Sequence, residues 1–202
     1  MTETSPVSAT IHVDLQLIAD MVEPGTRALD VGCGDGALLA HLQQAKGCTG
    51  YGVEIDDGNV LACSQRGINV LQLNLEEGLA LFDDHSFDVV LQLQTLQHLR
   101  NTEKMLRETA RVGRIGIVSF PNFAHWPNRL SVLQGRMPVT RTLPYQWYDT
   151  PNIRVGTFAD FEVLARKDGL RILDAFGIQS GEVVRRWPNL RASVAVFKFE
   201  RG

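Results

Sequence analysis

Three glycines and two acidic residues near the start of this chain have the spacing of a nucleotide-binding site. The run Leu29-Asp30-Val31-Gly32-Cys33-Gly34-Asp35-Gly36 begins with apolar residues and then places a glycine at every second position. Such a run predicts a strand, a tight turn and a helix whose N-terminus faces a ligand. Glu54 ends a second apolar run about 20 residues later, where an acid accepts hydrogen bonds from ribose hydroxyls. These residue types predict a pocket for a ribose-containing cofactor.

The charges of this loop favour one cofactor over another. The spacing Gly32-x-Gly34-x-x-Ala37 also fits the fingerprint of NAD-binding proteins, in which a pyrophosphate sits on the helix N-terminus. Carboxylates at Asp30 and Asp35 would repel a pyrophosphate. S-adenosylmethionine (SAM) has no phosphate and carries an ammonium and a sulfonium, so the loop favours SAM. NAD, or a glycine turn without any ligand, are the alternatives.

Strands and helices alternate along the rest of the chain, with turn residues between them. This alternation predicts a mostly parallel sheet with helices on both faces. Asp35 is placed to cap the helix that follows the loop. The predicted strands cover 27–31, 49–54, 68–72, 87–93, 115–120, 170–176 and 193–199, and the predicted helices cover 13–22, 37–45, 59–66, 102–111 and 158–167.

One long insert, residues 121–156, breaks this alternation and holds five of the eight prolines. Long loops inside a compact domain usually have a function. Aromatic and arginine side chains on a rigid loop are typical of protein-binding surfaces, and the insert carries Arg136, Tyr145, Trp147 and Tyr148. A partner-binding surface is therefore predicted. A lid over the cofactor and simple structural packing are the alternatives, and a short helix is expected over 128–134.

Composition limits the classes of function. The 202 residues are 44% hydrophobic and 21% charged with a net charge of -3, which fits a globular domain over 11–202 after a flexible tail at 1–10. We expect no nucleic-acid partner and no membrane association, since there is no basic excess and no apolar run of about 20 residues. Scattered cysteines and histidines predict neither disulfides nor a metal site, and the expected location is the cytoplasm.

The motifs together resemble the class I SAM-dependent methyltransferases. The resemblance rests on Leu29–Gly36, on Glu54-Ile55 and on the strand Phe87-Asp88-Val89-Val90. It implies an α/β Rossmann-like fold with a seven-stranded, mostly parallel sheet whose last strand is antiparallel, with helices on both faces. It also implies SAM or S-adenosylhomocysteine (SAH) as the bound molecule. By this resemblance the site consists of Asp30, Gly32, Cys33 and Gly34 for the methionine end, Glu54 for the ribose, Ile55, Asn74 and Leu75 for the adenine, and Gln92 beside the methyl group.

At two of these positions, Asn74 and Cys33, the residue type narrows the expected role. Asn74 stands where many methyltransferases have an aspartate, and its amide oxygen can accept the same adenine bond without a charge. Cys33 is expected to be a small buried residue of the loop, because nothing in the sequence indicates a lowered thiol pKa.

Four further blocks are similar to a narrower family, the MetW proteins of methionine biosynthesis. They are QTLQ at 94–97, SFPNFAHW at 119–126, GRMPVT at 135–140 and LPYQWYDTPN at 143–152. The resemblance implies a partnership with MetX, a homoserine O-acyltransferase, whose activity the family supports. No methyl acceptor is assigned to the family, so the resemblance implies cofactor binding more firmly than catalysis.

The sequence offers no convincing catalytic group for methyl transfer. The segment after the fourth strand has no motif for amino-group methylation, and His98 is a weak candidate for a general base. A histidine with a purely structural hydrogen bond is the alternative. The predicted function is a SAM-binding protein that supports the acyltransferase. A SAM-dependent methyltransferase acting on a small molecule is the alternative, and the residues leave open whether methyl transfer occurs.

Overall fold

The computed structural model describes residues 14–202, and a helical segment, α1, covers residues 14–19. From residue 27 onwards, strands and helices alternate as the sequence pattern predicts. The strands are β1 (Arg27–Val31), β2 (Thr49–Glu54), β3 (Val70–Gln72), β4 (Phe87–Leu93), β5 (Gly113–Pro121), β6 (Leu170–Gln179), β7 (Glu182–Val184) and β8 (Val194–Arg201). The helices are α2 (Ala37–Lys46), α3 (Asp57–Gln65), α4 (Thr102–Val112), α5 (Trp126–Leu133), α6 (Phe158–Lys167) and α7 (Pro188–Arg191), with 3-10 helices η1 (Leu75–Glu77) and η2 (Leu96–His98).

All eight strands form one sheet in the order β3-β2-β1-β4-β5-β8-β6-β7. The first five strands pair in parallel, and β8 runs antiparallel between β5 and β6. The predicted Rossmann-like α/β fold with an antiparallel last strand is therefore confirmed. Because β1, β2, β4 and β5 are parallel, their carboxyl ends and the loops that follow them meet at one edge of the sheet.

The sheet has one strand more than the seven that were predicted. The extra strand, β7, forms a hairpin with the end of β6, where Gln179 pairs with Glu182. Ser180 and Gly181 between them both have positive φ, 53° and 82°, as a two-residue type I′ turn requires. The Ser-Gly pair is a turn signal, but β7 has only three residues and is largely exposed, so its hydrophobic pattern is too short to read.

The two faces of the sheet are covered by different helices. On one face, Ile18 from α1 and Leu38 from α2 pack against Leu91 of β4. On the other face, Leu106 of α4 and Phe161 of α6 pack in a cluster with strand residues. The helices α4 and α6 begin at Asn101 and Thr157, whose side chains accept hydrogen bonds from the first turn. This packing fixes the strand ends that carry the candidate site.

The insert is held at both of its ends. Fully buried Asn122 follows β5, and its amide nitrogen donates to the carbonyl oxygen of Ala192 at 2.8 Å. The amide oxygen of Asn122 accepts from the N–H of Phe158 at 3.3 Å, and its backbone forms a bridge with Gly156. The helix expected over 128–134 is present as α5, displaced by about one or two residues. The insert is therefore anchored to the core at both of its ends.

Between residues 14 and 202, no helix has the length and apolar character that crossing a bilayer requires. In the same range, no three His, Cys, Asp or Glu side chains group closely enough to hold a metal ion. The predicted flexible tail at 1–10 lies outside the described residues.

Candidate functional site

The glycine loop after β1 adopts a backbone that only glycine accepts easily. Gly32, Gly34 and Gly36 have φ values of 79°, 55° and 75°. A Cβ at Gly32 would lie 2.5 Å from the hydroxyl oxygen of Thr95, so that glycine is required by packing. A Cβ at Gly34 would meet nothing within 4 Å. Gly34 therefore exposes its backbone to open space, as a ligand that approaches the loop requires.

Glu54, at the end of β2, ties this loop to the neighbouring strand. One carboxylate oxygen accepts a hydrogen bond from the N–H of Gly34 at 2.9 Å. The other oxygen accepts from the N–H groups of Ile55 and Asp56 at 2.8 and 3.0 Å. A carboxylate has about four lone-pair positions, and backbone N–H groups use three of them. Ribose hydroxyls would therefore share the carboxylate with the Gly34 N–H. The orientation of Glu54 is thus fixed by the loop itself.

Asp30, next to the end of β1, is a buried acid with 3% of its surface exposed. Burial and, to a lesser extent, the negative charge of Glu54 together raise its pKa to about 7. A positively charged ligand group would oppose both effects, because it would stabilise the ionised carboxylate. The pair therefore fits the ammonium and sulfonium of SAM and disfavours an anionic pyrophosphate.

Asp35 does not add an unpaired negative charge to this site, although the sequence predicted that it would. Its carboxylate is about half exposed and forms an ion pair with Arg66 at 2.6 Å. It accepts a hydrogen bond from the N–H of Ala37 at 3.2 Å, but the N-cap position of α2 is Gly36. Asp35 therefore pairs with the first N–H of α2, as a capping side chain does, although the N-cap position belongs to Gly36, which takes the left-handed turn before the helix. The charge argument against NAD consequently rests on Asp30 alone.

Three predicted adenine-side residues lie beside Glu54. The N–H of Leu73 donates to the backbone oxygen of Glu54 at 3.0 Å, which brings the β3–η1 loop to this edge. Ile55 exposes 59% of its surface next to that loop and offers an apolar face. Asn74 caps η1, because its side-chain oxygen accepts from the N–H of Glu76 at 3.0 Å, and Leu75 is the first residue of η1. The Asn74 oxygen retains one lone pair for a ligand.

Cys33 is buried with its thiol turned into the protein. Its sulfur lies 3.7 Å from the sulfur of Cys63, and a Cβ at Gly52 would come within 2.4 Å of it. Burial raises the pKa of the Cys33 thiol strongly, so the thiol is not a nucleophile at neutral pH. The thiol packs beneath the loop, and only the backbone of Cys33 belongs to the side that a ligand can reach.

Gln92 is fully buried near the end of β4, opposite Val118 of β5. Neither atom of its side-chain amide has a hydrogen-bond partner within the described chain. Unpaired buried amides are uncommon and need an explanation. The predicted place of Gln92 beside a transferable methyl group stays a prediction.

His98 connects η2 to the insert. Its Nδ1 lies 3.2 Å from the carbonyl oxygen of Pro151, and its Nε2 lies 3.4 Å from the amide nitrogen of Gln97. Next to it, the carbonyl oxygen of Gln97 accepts from the N–H groups of Ile153 and Arg154 at 2.9 and 3.0 Å. Both ring nitrogens of His98 therefore have structural neighbours, which favours the structural alternative over a general base.

The insert closes over an apolar cavity of about 210 Å³. Phe120 and Phe161 line it from the core, and Phe123 and Val155 line it from the insert. The side-chain oxygen of Gln97, a buried residue on its wall, has no hydrogen-bond partner in the described structure. No sequence signal pointed to this cavity, because its lining residues come from distant parts of the chain.

The predicted binding surface of the insert faces solvent. Trp147 and Tyr148 expose 72% and 71% of their surface and form an edge-to-face pair with ring centroids 5.6 Å apart. Tyr145 and Arg136 are also exposed on the same insert. Structural packing does not account for aromatic side chains that remain this open. Exposed aromatic patches on a fixed loop are typical of protein-binding surfaces.

The sequence did not predict the roles of two residues, Gln94 and Thr95, that follow β4 at the carboxyl edge of the sheet. Thr95 packs against Gly32 and donates its hydroxyl to the carbonyl oxygen of Leu93 at 2.9 Å. Gln94, just before it, has a φ of 51°, a strained value for a residue other than glycine. The motif QTLQ contains both residues, but neither residue type by itself signals a contact with the glycine loop.

Several known proteins are similar to this chain in sequence. The family described as "Methionine biosynthesis protein MetW" matches residues 12–199. The bifunctional methionine biosynthesis protein MetXA/MetW of Rhodopirellula baltica is 36% identical, over 99% of this chain and 35% of that protein. A ubiquinone biosynthesis O-methyltransferase of Brucella anthropi is 26% identical over 83% of this chain and 68% of its own length. The chain spans only about a third of the length of the first curated relatives it matches.

Solved structures share the fold at low sequence identity. An S-adenosylmethionine-dependent methyltransferase from Mesorhizobium loti has a TM-score of 0.70 at 13% identity, covering 94% of this chain and 98% of that one. The magnesium protoporphyrin IX methyltransferase of Synechocystis, solved with SAH, has a TM-score of 0.64 at 21% identity, covering 97% and 83%. The fold is that of the SAM-dependent methyltransferases.

Proposed function

This chain belongs to the MetW family of methionine biosynthesis proteins, and we propose that it is a cytoplasmic SAM-binding protein that binds a MetX-type homoserine O-acyltransferase and supports its activity. The observation that carries the proposal is the fused relative, in which one polypeptide is named for both MetXA and MetW. Fusion holds two proteins at a high effective concentration. A separate chain of the same family needs a docking surface to achieve the same association.

The cofactor part of the proposal rests on four residues. Gly34 leaves open space above the loop, buried Asp30 has a raised pKa that a cation would lower, and Glu54 is held in place by backbone N–H groups. The exposed apolar face of Ile55 suits the adenine ring. The residues present therefore fit SAM or SAH. SAM, when bound, would supply an electrophilic methyl group on its sulfonium.

The partner part of the proposal rests on the insert. Its aromatic pair, Trp147 and Tyr148, is exposed on a segment whose ends are tied to the core by Asn122 and Gly156. Exposed Trp and Tyr side chains are frequent hot spots of interfaces. We assign the acyltransferase contact to this surface, together with Tyr145 and Arg136.

Association is tested by mixing the purified chain with the homoserine O-acyltransferase of the same organism. Size-exclusion chromatography with light scattering should show a species whose mass is the sum of the two proteins. Separate elution of both proteins at micromolar concentration would contradict the proposal. Calorimetric titration with SAH tests the cofactor part independently, and absence of binding would contradict that part alone.

A second candidate function is methyl transfer to a small molecule. The apolar cavity beneath the insert favours it, because Gln97 on the cavity wall adjoins His98. Against it, the Nδ1 of His98 is occupied by the Pro151 carbonyl oxygen. A metabolite extract with labelled SAM discriminates the two functions: SAH formation that is slowed by H98A supports methyl transfer, and no turnover supports the partner role.

A further inference from the structure

A second cavity, of about 280 Å³, lies between α1, the ends of β4 and β5, and the insert. Its wall includes Asp14 from α1, Gln94 and Ser119 from the strand ends, and Arg141 from the insert. It shares no lining residue with the apolar cavity beneath the insert. It is close to the glycine loop, since Gln94 precedes the Thr95 that packs against Gly32.

Two side chains of opposite charge line this cavity. One carboxylate oxygen of Asp14 is buried and has no hydrogen-bond partner in the described residues. Burial raises the pKa of Asp14 more than the positive charge of Arg141 lowers it. The buried carboxylate oxygen therefore has no donor among the described residues, and a ligand ammonium group would provide one. Arg141 already interacts within the chain, but a guanidinium has five N–H donors and can accommodate a further carboxylate.

The remaining wall combines hydroxyl groups with an apolar floor. The hydroxyl oxygens of Ser119 and Ser193 belong to buried residues. Gln94, held at positive φ, brings its amide nitrogen to 3.4 Å from the Ser119 hydroxyl oxygen. Strained residues of this kind cluster where ligands bind. The apolar floor consists of Leu15, Ile18, Leu93, Ile178 and Val194.

We propose that this cavity binds a small α-amino acid in its zwitterionic form, with the ammonium at Asp14, the carboxylate at Arg141 and a short side chain on the apolar floor. The volume is below the range of about 300–1,000 Å³ for pockets that take drug-sized ligands, so the ligand has few heavy atoms. The opposite charges explain why neither a simple anion nor a simple amine is the expected ligand. The proposal does not depend on the acyltransferase partnership.

The competing explanation is that Asp14 and Arg141 only hold α1 against the insert. To separate the two, the full chain with saturating SAH is titrated with L-2-aminobutyrate and observed by NMR. Butyrate, which lacks the ammonium, and propylamine, which lacks the carboxylate, serve as matched probes. The aminobutyrate should bind at least tenfold more tightly than either probe. D14N and R141Q should each weaken it at least tenfold, whereas D20N, on an exposed acid just after α1, should not.

Three outcomes would overturn the proposal. No chemical-shift change up to 20 mM L-2-aminobutyrate would leave only the structural explanation, in which Asp14 and Arg141 hold α1 against the insert. Displacement of SAH by the amino acid would place it in the cofactor site. Equal binding of butyrate would reduce the cavity to an anion site. SAH affinity is measured for the same variants and should stay within twofold of the wild type, so failure of this site is distinguishable from failure of the cofactor site.

Discussion

Replacing Asp30 with asparagine should stabilise the ligand-free protein at pH 8 and weaken its binding of SAH. Asp30 is buried beside Glu54, and both burial and that negative charge disfavour its ionised form. Asparagine has nearly the same shape and no charge, so D30N removes the unfavourable carboxylate. The same substitution removes the negative charge that attracts the ammonium group of SAH. Stability and binding should therefore change in opposite directions.

The size of the stability effect follows from the pKa. The pKa of Asp30 is about 7 in the folded protein, compared with an ordinary value of 3.8. Between these values the folded state keeps a proton that the unfolded state has lost, so the free energy of unfolding falls as pH rises. At about 1.4 kcal/mol for each tenfold change, the loss reaches about 4 kcal/mol above pH 7. In D30N this loss should be absent.

Urea unfolding of both proteins at pH 5, 6, 7 and 8 measures the effect. The wild type should lose stability across this range relative to D30N, and the difference should be largest at pH 8. D35N is the matched control, because Asp35 lies in the same loop but is half exposed and paired with Arg66, so its loss should cost less than about 1 kcal/mol. Parallel pH profiles for the wild type and D30N would refute the reasoning.

The binding half of the prediction uses the same residue. If SAH binds the form with ionised Asp30, its affinity should rise about tenfold between pH 6 and pH 8, because ionisation costs free energy below the pKa of about 7. In D30N the affinity should be lower and independent of pH in this range. Calorimetric titration at pH 6, 7 and 8 measures this. An affinity that is the same in D30N and the wild type at pH 8 would show that Asp30 has no part in binding.

Three further variants test separate parts of the account. E54Q should weaken SAH binding at least tenfold in calorimetry, because the amide of Gln offers one acceptor oxygen where the carboxylate of Glu54 offers two; unchanged affinity would exclude the ribose role. G34A should cost only about 1–2 kcal/mol of stability in urea unfolding, because of the positive φ, but it should abolish SAH binding. G32A should be less stable than G34A, because its Cβ would clash with the buried side chain of Thr95. A G32A protein that is more stable than G34A would contradict this packing. W147A should leave the melting temperature within about 2 °C, since the side chain is exposed, and should weaken acyltransferase binding at least tenfold in biolayer interferometry. W187A is the control outside the insert and should bind normally, because Trp187 is similarly exposed, at 64% against 72% for Trp147.

Much of the fold follows from local sequence signals. The alternating runs and glycine stops predicted seven strands in nearly correct positions, and the predicted strand at Phe87–Leu93 lies between β1 and β5. The short strand β7 was missed because three exposed residues carry no readable pattern. The four motif blocks indicated the MetW family, and the family match over residues 12–199 confirms it.

The candidate site was less predictable than the fold. Spacing located the glycine loop and Glu54, because both follow directly from the strand-turn-helix pattern. It could not show that Asp35 turns to Arg66 or that Thr95 packs on Gly32, since these contacts join residues 31 and 63 positions apart. Both cavities are likewise built from distant segments that only the folded sheet brings together.

The rate of homoserine acylation shows whether this chain supports a homoserine O-acyltransferase. The acyltransferase of the same organism is assayed at fixed concentration while the purified chain is added from zero to a twofold excess. Activity should rise and saturate near one chain per acyltransferase subunit, and W147A should shift the curve to higher concentration. An acylation rate that is independent of the added chain would contradict the account.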